Sequence, residues 1–177
     1  MNISFEQSYF GLEKEIEFAV ITDYDAQTRR AHEAKQSMKI EVPAGIMSGQ
    51  YIKYTAKGHA GRNGGPAGDL YIKIMVKGSQ IWQREGDDLI VLADVSVYDL
   101  VLGADISIEH PEGKLTVKIP KGTQVSDILK VSGRGFAKAH HGLSSKNGNM
   151  LVKLRVSIPK KVSKKEEGLW NELAGRA

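Results

Sequence analysis

Five histidines and no cysteine limit the side chains that could do chemistry in this sequence of 177 residues. His32-Glu33 starts like a zinc-protease helix motif, but Gln36 stands where the second histidine ligand is needed. His140-His141 has no third ligand nearby in sequence, so the pair reads as solvated rather than metal-binding. The glycine-rich "GHAGRNGGPAGD" (58–69) lacks the Lys-Ser/Thr that completes a phosphate-binding loop, and a strand pattern follows it instead of a helix. "GLSSKNG" lacks the Gly-x-Ser-x-Gly spacing of a strained nucleophile turn. Without cysteine there is no thiolate nucleophile, no disulfide and no cysteine-ligated zinc. The residues point to a binding module, not an enzyme, with no metal or cofactor.

The net charge of +4 is concentrated in one place. "KLRVSIPKKVSKK" (153–165) holds Lys153, Arg155, Lys160, Lys161, Lys164 and Lys165 and no acidic residue. Such a run is ordinarily a solvated face, and the alternative is a polyanion site. No apolar run reaches membrane-spanning length, and "MNISFEQSYF" lacks the basic start and apolar core of a signal peptide. Together with the absence of cysteine, this suits a cytoplasmic location.

The elements that must position any site are strands. "EKEIEFAVI", "SMKIEVP", "QYIKYTA", "DLYIKIMVK", "DLIVLADVSV", "ADISIEH", "KLTVKIP", "DILKVSG" and "MLVKLRVSI" alternate apolar and polar residues, as a half-buried strand requires. Turn-forming groups such as "PAG", "EGDD", "PEG" and "PKG" separate them. Short helical turns are expected at 5–11 and 97–103, each ahead of a glycine that can end a helix. In the tail, Ser163 and Glu166 have capping-box spacing, and Leu169, Trp170 and Leu173 share one helical face.

The chain also repeats itself. Pro43, Gly45, Lys53 and Gly58 in "PAGIMSGQYIKYTAKGH" match Pro120, Gly122, Lys130 and Gly135 in "PKGTQVSDILKVSGRGF", 77 residues later. "GDLYIKIMV" (68–76) returns as "GNMLVKLRV" (148–156), and Gly11 falls opposite Gly103. A period this long implies duplicated domains rather than a short-repeat solenoid. The expected fold is mainly β: two similar tandem β-sandwich-like domains, each with a short helix, then a C-terminal helix. The expected boundaries are 1–80, 81–160 and 161–177.

These residues resemble the C-terminal substrate-binding region of DnaJ-type (heat-shock protein 40 family) co-chaperones. The resemblance rests on Pro-x-Gly, an apolar-Lys strand, the glycine-rich turn, Gly68-Asp69-Leu70 and the junction Arg84-Glu85-Gly86-Asp87-Asp88-Leu89. Within the family, "GRNGGPAGDL" and "GLWNELA" look most like the curved-DNA-binding protein A branch. Family members carry a J-domain with a His-Pro-Asp tripeptide and a Gly/Phe-rich linker. This sequence has neither, since His110-Pro111 is followed by Glu112. The chain alone is therefore expected not to stimulate a DnaK-type ATPase. Where some members insert a cysteine-rich zinc domain, "AVITDYDAQTRRAHEAKQ" (19–36) has no cysteine, which resembles the zinc-free subclass.

The resemblance implies that unfolded or misfolded polypeptide adds as a strand beside an apolar groove of the first domain. The residues it implies there are Lys14, Ile16, Phe18, Lys35, Met38 and Ile72, with a weaker second site at Ile106 and Ile108. The plainer alternative is that Ile16, Phe18 and Ile72 fill a core. The implied partners are unfolded clients, a DnaK-type chaperone and a second copy of the chain, the homodimer contact falling to Leu169, Trp170 and Leu173. The sequence stops at "ELAGRA", short of the longer tail expected of close relatives. The rival reading is curved-DNA binding and nucleoid association through Lys153, Arg155, Lys160, Lys161, Lys164 and Lys165.

Overall fold

The computed structural model describes residues 1–24, 30–61, 65–138 and 147–176. His140-His141, part of the 19–36 segment and part of the glycine-rich turn lie outside them. Twelve strands and three helices are described: β1 (Asn2–Ile3), α1 (Phe5–Phe10), β2 (Leu12–Tyr24), β3 (Ala31–Val42), β4 (Tyr51–Tyr54), β5 (Leu70–Lys73), β6 (Met75–Val76), β7 (Trp82–Glu85), β8 (Asp88–Ser96), α2 (Val97–Leu102), β9 (Ala104–His110), β10 (Gly113–Ile119), β11 (Ile128–Val131), β12 (Met150–Ser157) and α3 (Lys164–Leu173). Among the described residues, no helix is long and apolar enough to cross a membrane.

The duplication is written in the element order. In both halves a short helix leads into an antiparallel ribbon, a Pro-x-Gly turn and two further strands. α1 and α2 start with the same device. Ser4 and Ser96 accept from the N3 amides of Gln7 and Asp99, whose side chains accept from the cap amides. Each helix stops at a glycine, Gly11 at φ 75° and Gly103 at φ 80°. A Cβ on Gly11 would lie 2.7 Å from the Val42 carbonyl oxygen, so only glycine fits this turn. The halves differ in their ribbons. β2–β3 spans Leu12 to Val42, whereas β9–β10 spans only Ala104 to Ile119.

By contacts the chain forms two units. The first comprises Met1–Val91 with Lys130–Leu151, the second Leu92–Leu129 with Val152–Ala177. The physical reason why Lys130–Leu151 groups with the first unit is Phe136. This ring is fully buried and lies 5.4 Å from the Phe5 ring and 5.3 Å from that of Tyr9, both on α1. Glycines bring the backbones together here as well, with Phe136 N–H donating to the Asp87 carbonyl at 2.8 Å.

Arg84 completes this region. Its guanidinium lies 4.0 Å over the Phe136 ring and donates to the carbonyls of Gly45, Ile46 and Gly86 at 2.7–2.8 Å. Burial pulls its pKa down, and Asp87 at 3.8 Å opposes that. The Arg-Glu-Gly-Asp-Asp-Leu junction is thus a structural clasp within the first unit. Beside it, Ile3, Ile40, Val42, Ile46, Ile72 and Ile74 form an apolar core, with Leu12, Ile16, Met38 and Ile52 packed against it.

In the second unit, β9 and β10 form a hairpin with His110 opposite Gly113. His110-Pro111-Glu112 makes its turn, the His110 Nδ1 accepting from Glu112 N–H at 3.2 Å. Ile108, Val117 and Ile119 are buried on one face of the hairpin.

Candidate polypeptide-binding edge

β2 and β3 pair antiparallel from Leu12↔Val42 to Tyr24↔Ala31, with a register shift between Ile21 and Asp23. Residues opposite one another share a face. One face therefore carries Leu12, Lys14, Ile16, Phe18 and Val20 with Val42, Ile40, Met38, Gln36 and Ala34. The other carries Glu13, Glu15, Glu17 and Ala19 with Glu41, Lys39, Ser37 and Lys35.

The expected site residues separate on this register. Ile16 lies directly opposite Met38, and both are half-buried against the core. Phe18, two residues further along, is half-buried and outside the core cluster. Lys14 is exposed at the rim of this face. Ile72 belongs to the core, opposite Ile52 in the β4–β5 pair. Lys35 pairs with Ala19 and so stands on the other face, because the pleat reverses direction at each residue. In the second unit, Ile108 is buried and Ile106 is half-buried.

The backbone of β2 supplies what sequence alone could not show. Ile21 N–H donates to His59 Nδ1 at 2.9 Å, and Ile21 C=O accepts from Ala60 N–H at 2.7 Å. Both groups of Ile21 therefore point away from β3. Alternation along an antiparallel ladder then turns the groups of Ala19, Glu17, Glu15 and Glu13 outward too. Among the described residues β2 pairs with β3 alone, and these four residues are exposed. An unpaired edge thus runs along the margin of the Ile16–Phe18 face. On its acidic side, Glu13 is ion-paired with Lys39, whose pKa is raised by that hydrogen bond.

The tail and the basic run also have definite places. Ser163 caps α3, donating its N–H to the Glu166 carboxylate at 2.7 Å. The Trp170 ring lies 5.6 Å from that of Tyr98 on α2, so Trp170 packs within its own unit. Leu169 and Leu173 remain exposed, and with Val97, Tyr98, Val101 and Leu102 they line a cleft of about 520 Å³. Arg155 is held by both carboxylate oxygens of Asp94, while Lys153 is exposed on the same face of β12. Lys160 and Lys161 are exposed beyond β12, and Lys164 and Lys165 open α3 next to Glu166 and Glu167.

Comparison with known proteins accounts for this arrangement. The family described as DnaJ C terminal domain matches residues 1–159. A protein named chaperone protein DnaJ from Fusobacterium nucleatum subsp. polymorphum is 43% identical over 131 residues, covering 74% of this chain and 32% of its own length. Its namesake from Gloeobacter violaceus is 34% identical over 146 residues, covering 82% of this chain and 38% of its own. That from Bacillus mycoides is 35% identical over 143 residues, covering 80% and 38%. The chain thus spans about a third of the length of these relatives. Matched over its first 159 residues, with both repeats of the helix, ribbon and Pro-x-Gly turn in place, the chain belongs to the DnaJ C-terminal domain family.

Proposed function

We propose that this chain is the polypeptide-binding part of a DnaJ-type co-chaperone. It holds unfolded or misfolded segments at the free edge of β2, and the whole protein delivers them to a DnaK-type chaperone. The observation that carries this reading is the row of outward backbone groups at Glu13, Glu15, Glu17 and Ala19 beside Ile16 and Phe18. Strand addition gives a client sequence-tolerant backbone hydrogen bonds, and the half-buried apolar face takes its alternate side chains. Lys14 can meet a client carboxylate at the rim. The cysteine-free 19–36 segment supports placing the chain in the zinc-free subclass.

Two such edges on one particle would raise the effective concentration for a second segment of the same client. A second copy of the chain, seated on Leu169 and Leu173 and the cleft beside Tyr98, is the partner we propose for the tail. Trp170, half-buried against Tyr98, lines the same cleft and belongs to that surface. Of the basic run, Arg155 is already ion-paired with Asp94, which counts against a DNA-binding face there.

Suppression of aggregation of a chemically denatured client, measured at low and high salt, tests the reading. Apolar strand addition predicts suppression that persists in salt. Polyanion-type binding would weaken steeply as salt rises, and that outcome would count against client holding at β2.

A further inference from the structure

Given client addition at β2, on which this inference rests, we propose that the turn at Gly58–Ala60 is a register stop. It closes the far end of the edge and fixes how long a segment the edge accepts. His59 Nδ1 and Ala60 N–H offer Ile21 one acceptor and one donor, which is what a residue of an incoming strand would offer. The position after Ala19 is therefore already filled by the chain itself.

The turn is built to stay there. Gly58 N–H donates to the Gly68 carbonyl at 2.8 Å, and Gly68 N–H donates back to the His59 carbonyl at 2.9 Å. A Cβ on Gly58 would lie 2.7 Å from the Asp69 carbonyl oxygen, so the two arms approach as closely as only glycine permits. Asp69 braces the base, pairing with Lys53 at 2.8 Å and accepting from Ala56 N–H at 3.0 Å. The ribbon itself agrees with the stop, because its register shift follows Ile21 and interrupts the alternation of outward groups there, before pairing with β3 resumes at Asp23↔His32. At the near end, the chain turns into α1 through Gly11.

Between these limits the open edge is Glu13–Ala19, which matches an extended segment of about seven residues. Side chains of that segment would alternate between the Ile16–Phe18 face and the Glu15–Glu17 face. The fitting client is thus an extended stretch alternating apolar and basic residues.

Blocked alternating Leu–Lys peptides, in a series from about five to about eleven residues, test the stop on the whole chain. Affinity should rise to about seven residues and then level off. His59→Ala should continue to gain, about threefold to tenfold for the next backbone hydrogen bond, while His59→Asn, which keeps an acceptor near the Nδ1 position, should level off like the parent. In the free protein, the Ile21 amide should exchange slowly and should become fast in His59→Ala. Continued gain past about seven residues in the parent, or an unchanged plateau in His59→Ala, overturns the stop. Peptides that bind without protecting the amides of Glu15, Glu17 and Ala19 would instead remove the docking reading beneath it, and the stop with it.

Discussion

Phe18 and Ile72 make opposite contributions to the same region. Ile72 is buried in the first unit's core, so Ile72→Ala should cost about 2–5 kcal/mol in denaturant unfolding. Phe18 stands outside that cluster, and Phe18→Ser should cost less than about 1 kcal/mol while weakening client binding. Equal losses of stability and binding for Phe18→Ser would return it to the core. Arg84 is a third case. It gives three carbonyls a charged donor and stacks on Phe136, a fork that lysine cannot reproduce. Arg84→Lys should lower unfolding stability by about 2–4 kcal/mol without a change in the peptide-length dependence. Client-binding loss out of proportion to unfolding would show that Arg84 does more than clasp the first unit.

At the scale of elements, α3 depends on its cap. Ser163→Ala should remove about 0.5–2 kcal/mol of helix stability, seen as a loss of helical signal in the tail. The backbone and side-chain hydrogen bonds to Ser163 hold Glu166 below its ordinary pKa. A carboxyl depressed in the folded helix stabilises it fully above the unfolded value, about 4.3. That contribution disappears as pH falls through the lower folded value. Acidification from pH 6 to about 2 should therefore fray α3 before the strands melt, and chemical shifts at Ser163–Glu167 report it. The cap of α3, the glycine ends of α1 and α2 and most strands are legible in the sequence, because hydroxyl–carboxyl spacing, a stop glycine and period-2 alternation are local signals. The Ser4 and Ser96 caps come from the structure. Lys35, which the resemblance implies for the groove, stands on the face opposite to Ile16 and Phe18. Its facing follows from pairing with Ala19 across a long ribbon, and nothing near Lys35 in sequence sets that register. β7 carries no such local signal, because "WQRE" has no apolar alternation, and its Trp82 ring is placed 6.0 Å from that of Phe5.

For the whole molecule, repetition is readable in the sequence, whereas the long-range packing of Phe136 is not. The repeated blocks predict two similar halves, and the element order agrees. Yet Lys130–Leu151 joins the first unit through Phe136, a contact between residues more than a hundred positions apart. In the same way, the stop at Ile21 depends on a side chain in a distant turn. Assembly belongs to this scale. A second copy seated on Leu169 and Leu173 predicts a dimer, or a concentration-dependent equilibrium, shifted toward monomer by Leu173→Ala; sedimentation over a concentration series checks it. Trp170→Ala should shift the equilibrium toward monomer as well, since Trp170 lines the same cleft beside Tyr98. The central claim, that clients add to the free edge of β2, is tested most directly by residue-resolved amide exchange with and without a bound unfolded segment. The account predicts that Glu15, Glu17 and Ala19 exchange fast alone and slowly when the client is bound, while Ile16 and Phe18, already bonded to β3, change little. Protection that develops elsewhere while these three amides stay fast would contradict it.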